Sequence, residues 1–135
     1  MHMKTLILYG AALVFFLAID LLWLGFIARS LYRQQLGHLM APQTNWPAAF
    51  LFYFLFIGGL LYFAVWPALQ ADSAGLALLN GALYGLLTYA TYELTNKAVI
   101  DRWPTLIVPV DIFWGAFLCA AVSWLTFRLE HWWWA

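Results

Sequence analysis

The sequence predicts an all-α integral membrane protein: a four-transmembrane-helix bundle with a short interfacial segment after the first helix. Three observations predict it. The chain is 66% hydrophobic and 9% charged, whereas a soluble domain is about 25% charged and about half apolar. Its apolar residues fall in four runs, each able to cross about 30 Å of hydrocarbon at about 1.5 Å per residue. Tryptophans gather at the ends of those runs, where an aromatic belt meets the membrane surface. The 135 residues suit one compact domain, taken as residues 1–135.

The first run extends from about Thr5 to Ala28, the second from about Trp46 to Leu69. The third extends from about Ala74 to Asn96, the fourth from about Thr105 to Phe127. Lipid-exposed backbone must bond internally, so each run is expected to be helical. Lys4 followed by an apolar run imitates a secretion signal. That run is longer than the usual apolar region of a signal, carries Asp20 and lacks a clean small-residue cleavage site, so it is read as a retained helix. The second and third links are short and favour antiparallel neighbours. The first link, 29–45, places Leu31, Leu36 and Leu39 roughly on one helical side and Arg33, Gln34 and Gln35 elsewhere. That pattern predicts a short helix lying in the interface, before Gly37, His38 and Pro42 bend the chain back. Trp46, Trp66, Trp103 and the run Trp132, Trp133, Trp134 are assigned to the belt.

Zero formal net charge gives nucleic acid nothing to bind electrostatically. The lone Cys119 excludes an internal disulfide and a two-cysteine redox cycle within one chain. No histidine lies inside a predicted span, which argues against haem held by paired histidines. The motifs of zinc proteases and serine hydrolases are absent. No cofactor is expected.

The candidate chemistry lies in three acids, Asp20, Glu93 and Asp111, set within oily runs with no lysine or arginine at comparable depth. A carboxylate near a bilayer centre costs roughly 2.5–3.5 kcal/mol on insertion scales, so such residues default to a functional reading. Asp20 precedes Arg29 by nine positions and Asp111 follows Arg102 by nine, which places both roughly 13 Å inside one boundary. Each aspartate has a tryptophan three positions on, Trp23 and Trp114, on its own helix face. Their indole N–H groups are expected to serve those carboxylates. Glu93 and Lys97 have the spacing of an ion pair, and Tyr89, Glu93 and Asn96 share a face, with Tyr92 on an adjoining one. Pro109, two residues before Asp111, is expected to kink the last span. The competing reading is that acids, Asn96 and tyrosines join helices by hydrogen bonds and bind nothing.

Four stretches carry a family resemblance. They are Asp-Leu-Leu-Trp-Leu-Gly (20–25), Gln-Leu-Gly-His-Leu (35–39), Tyr-Glu-Leu-Thr-Asn (92–96) and Val-Asp-Ile-Phe-Trp-Gly (110–115). In this order they resemble a family of small bacterial inner-membrane proteins catalogued as domain of unknown function 2177, over about Lys4 to Leu129. The resemblance implies four membrane helices and a bacterial inner membrane, and carries no activity with it. The third stretch more often has aspartate where this chain has Glu93.

Three functions compete. The first is binding or transport of a small cationic or amphipathic solute, in exchange for protons if it is transport. Its site is Asp20, Trp23, Tyr92, Glu93, Asn96, Asp111 and Trp114 near the cytoplasmic face. Small multidrug transporters have a similar architecture, by analogy alone, and enclose their path as oligomers, so a homo-oligomer is expected. The second is a membrane enzyme acting on a lipid or isoprenoid-like substrate. Arg29, His38 and Arg102 would then contact a headgroup, and Asp20 and Asp111 would act as acid and base or hold any metal. The third is a structural partner subunit. The bilayer and a small solute or lipid are the expected partners.

Links one and three carry Arg29, Arg33, Lys97 and Arg102, against Lys4 and Arg128 on the other side. The positive-inside rule then puts those links in the cytoplasm and both termini in the periplasm. A periplasm-only reporter fused after Ala135 should be active and its cytoplasmic counterpart silent. The reverse pattern contradicts this orientation, and activity of both indicates dual insertion.

Overall fold

The computed structural model describes residues 2–134. Its order is α1 (His2–Leu22), a π turn (Trp23–Ile27), α2 (Arg29–Leu36), a 3-10 turn (Gly37–Leu39), α3 (Trp46–Leu60), a π turn (Leu61–Val65), α4 (Trp66–Ala71), α5 (Ala74–Val99) and α6 (Ile107–Trp134). No strand occurs among the described residues. Three helical units there are long and apolar enough to cross a membrane: His2–Ile27, Trp46–Ala71 and Ile107–Trp134. α5 has 26 residues, the length of the first two, but carries Glu93 and Lys97 among more polar neighbours.

Local chemistry explains the boundaries. Asn45 caps α3 by accepting the Ala48 N–H at 3.2 Å, and Pro47 sits in the first turn, where no N–H is needed. The π turn before α4 widens the spiral ahead of Pro67, whose ring would otherwise strike the carbonyl one turn back. α4 ends at Asp72, in the left-handed region with φ 51°. The N–H groups of Asp72 and Ser73 close onto Leu69 and Ala68, so both orphan carbonyls are satisfied. Ser73 then caps α5 through the Leu76 N–H at 3.0 Å.

Pairwise contacts fix the helix directions. Lys4 meets Glu130 at 2.6 Å, and Asp20 meets Trp114 at the other end, so α1 and α6 are antiparallel. Gly81 faces Cys119 and Ser123, while Gly85 faces Gly115, so α5 and α6 are antiparallel too. The Tyr84 hydroxyl donates to the Phe56 carbonyl and the Asn80 amide to Ala64, which orients α3 against α5 in the same way. α1 closes the ring against α3 through Phe16 and Phe56, 5.3 Å apart, within a core that includes Ala12, Ile57, Leu60 and Leu118.

The tightest seam is α5 on α6. A methyl at Gly81 would overlap the Cys119 carbonyl, and one at Gly85 the Gly115 carbonyl. Small residues bring the two backbones together where lipid supplies no hydrophobic drive between helices. Gly115 makes room in turn for the Tyr89 ring.

Two sequence expectations need correction. Pro109 lies in the first turn of α6, where its missing donor is an orphan position anyway, so it marks a helix start and not a kink. Trp103 is no belt residue: it is buried, 6% exposed.

Gly85→Ala should destabilise the fold by about 1–3 kcal/mol, the usual cost of overpacking. Gly58→Ala, with nothing within 4 Å of an added methyl, should be neutral or gain up to about 1 kcal/mol from helix propensity. Unfolding midpoints in a mixed-micelle titration check the pair. Equal shifts for the two variants would contradict the seam.

Candidate functional site

Asp20 sits in the last full turn of α1, Asp111 near the start of α6, and Glu93 in the last third of α5. The antiparallel register of α1 and α6 sets Asp111 opposite Trp23, about 4.5 Å along the bundle from Asp20. Asp20 and Asp111 are half-buried and Glu93 is 1% exposed.

The tryptophans serve the carboxylates, but crosswise. Trp114 Nε1 donates to Asp20 at 3.0 Å, from α6 to α1. Trp23 does not return the favour to Asp111. Its Nε1 donates to the Tyr32 hydroxyl at 3.3 Å, and Tyr32 donates to Asp111 at 2.9 Å. The two indoles stack with centroids 4.4 Å apart and planes 10° from parallel. The expectation of same-helix pairs is therefore corrected. A side chain three residues on leans along its own helix surface, whereas a stacked partner on the facing helix projects its N–H into the next chain's acid.

Glu93 does not pair with Lys97. It accepts the Trp103 Nε1 at 3.0 Å. Lys97 donates to the Trp103 carbonyl at 2.8 Å and thereby holds the loop that carries the indole. Contacts thus run from Asp20 through the indole stack and Tyr32 to Asp111, and a separate bond joins Glu93 to Trp103. Hydrogen bonds to charged groups contribute about 1.5–3 kcal/mol each, and an abandoned buried partner costs more.

Tyr32 is the keystone that sequence pattern missed. It lies on α2, is 8% exposed, and packs with Ala28 and Ile107. Burial pushes its phenol well above the ordinary value, so it remains a donor. The leucine stripe drew attention to Leu31 and Leu36, which pack beside it. A tyrosine between two arginine-bearing turns gave no periodic signal. Trp103 was misassigned because a tryptophan at a span end reads equally well as belt.

A cavity of about 380 Å³ opens beside Asp111, lined by Phe52, Phe56, Thr88, Tyr89, Tyr92 and Asp111 itself. Tyr92 is exposed and stands edge-on to Trp103 at 5.9 Å. The proposed headgroup contacts are more remote. Arg29 is exposed at the start of α2. His38 Nε2 lies 3.2 Å from the Arg102 carbonyl, which ties the first link to the third at one end of the bundle. Arg102 itself is exposed, with φ 60°. Among the described residues no hydrogen bond or ion pair joins these three side chains to the acids. Among the described residues no group of three or more His, Cys, Asp or Glu has metal-holding geometry.

A family model described as predicted membrane protein (DUF2177) matches residues 5–128. No curated protein and no solved structure matches.

Tyr32→Phe and Asp111→Ala should be non-additive, with a coupling of about 0.5–3 kcal/mol in a double-mutant unfolding cycle. Additivity within about 0.5 kcal/mol would show that the Tyr32–Asp111 bond contributes nothing.

Proposed function

The chain belongs to this family of predicted membrane proteins, and from that premise we propose that it binds a small cationic or amphipathic solute at the Asp111 cavity. In this reading α5 is a fourth membrane span and α2 lies in the cytoplasmic interface of a bacterial inner membrane, with both termini periplasmic. The residues Asp20, Trp23, Tyr92, Glu93, Asn96, Asp111 and Trp114 form or border the site.

One observation carries the reading: a carboxylate forms part of the wall of a cavity otherwise lined mainly by aromatic rings, Phe52, Phe56, Tyr89 and Tyr92. Ring faces attract an ammonium group, more so when it is desolvated. The acid completes the charge balance, and the cavity volume falls in the range of small-molecule sites. Binding has more support than conduction from face to face. On the far half, Asn80 donates its amide to the Ala64 carbonyl at 3.3 Å. The enzyme alternative draws on the gathering of polar groups at one end, which suits chemistry on a lipid headgroup.

Tetramethylammonium should bind the protein in nanodiscs by titration calorimetry. Asp111→Asn and Asp20→Asn should insert and fold, since each replaces an acid by an amide of similar shape, and Asp111→Asn should weaken binding at least about tenfold, or about 1.4 kcal/mol. Unchanged affinity in Asp111→Asn sinks the cation site. Variants that unfold as badly as core cavities favour glue.

A further inference from the structure

The aromatic cavity does not stand alone. A second one, of about 430 Å³, lies farther along the same helix pair, lined by Phe63, Asn80, Leu83, Tyr84, Leu87 and Thr88. Thr88 lines both. They adjoin at Thr88, and the crevice they make together follows α5 along α3 and the π turn after it, from Asp111 toward the middle of the bundle and beyond. From Tyr92 to Asn80 α5 rises about 18 Å. The outer lip is apolar and open: Phe63, Leu83 and Leu87 are all exposed.

The two ends of the crevice differ chemically. Near Asp111 there is a carboxyl group among four aromatic side chains. Beyond Thr88 the donors are already engaged with backbone. The Thr88 hydroxyl donates to the Tyr84 carbonyl at 2.8 Å, the Tyr84 hydroxyl to Phe56 at 2.9 Å, and the Asn80 amide to Ala64 at 3.3 Å. A polar solute filling the whole crevice would lose water and gain little in return. A molecule with one cationic end and a slender apolar remainder matches both ends.

Resting on the binding reading above, we infer that the ligand is a single-chain cationic amphiphile, its ammonium head at Asp111 and its chain laid along the α3–α5 crevice. It enters sideways from the bilayer, through the exposed lip. The chain passes from lipid to protein, so it gains packing and not hydrophobic transfer. Its share of affinity is accordingly modest, and the carboxylate sets the polarity of docking.

The test uses the full chain in nanodiscs with two probes, tetramethylammonium and dodecyltrimethylammonium, after subtraction of uptake by protein-free discs. Leu83→Trp fills the far cavity without touching the acids, and Leu87→Trp, closer to the junction, is a second filler should the first misfold. Either filler should weaken dodecyltrimethylammonium about tenfold and leave tetramethylammonium unchanged, which also reports an intact head site. Fillers that leave the long probe unaffected, or weaken both probes alike, overturn the crevice. Loss of response to Asp111→Asn with both probes overturns the cation site instead, so the two failures are distinguishable.

Discussion

A carboxylate withdrawn from water must be given donors by the protein, and this requirement organises one end of the bundle. Asp20 takes an indole N–H from α6, Asp111 takes a phenol from α2, and Glu93 takes an indole from the loop before α6. No acid is served by its own helix. Each bond therefore also joins two elements, so the groups that satisfy the charge are the groups that hold the helices in register. The indole stack between Trp23 and Trp114 couples two of these bonds through ring contact.

The opposite end relies on surface charge. Lys4 pairs with Glu130, and His131 contacts Asp72 at the left-handed turn that ends α4. Lys4 and Glu130 are half-buried, whereas Asp72 is exposed, and exposed pairs contribute little individually. Between the two ends the glycine seam of α5 on α6 supplies close backbone contact, and the aromatic faces of Phe16, Phe56 and Tyr84 fill the centre. The molecule is thus specified by hydrogen bonds at one end and by shape along its length.

How much of this was legible follows from range. The apolar runs and the three acids are local features, and local features survive translation into structure. The helix limits shifted at both termini: α1 begins by His2 and α6 runs on to Trp134, where Lys4 and Glu130 pair across the two extensions. The bonding partners were not legible. Asp20 and Trp114 are ninety-four positions apart and Tyr32 and Asp111 seventy-nine, and no periodicity encodes such a pairing. The i+3 and i+4 rules offered Trp23 and Lys97 instead, which are near in sequence but aimed elsewhere. Tyr32 could have been suspected only as the one phenol in a link otherwise rich in charge and leucine.

The crossed bond on Asp20 also imposes an order in time. Its donor, Trp114, is synthesised ninety-four residues later. At about 5–20 residues per second the acid exists for about 5–20 s before its partner has been made. During that interval α1 holds an unserved carboxylate nine residues, roughly 13 Å, inside its polar exit at Arg29. Until α6 is made, that acid lacks its indole donor and carries the full cost of a carboxylate at membrane depth. The first helix must therefore wait for its last.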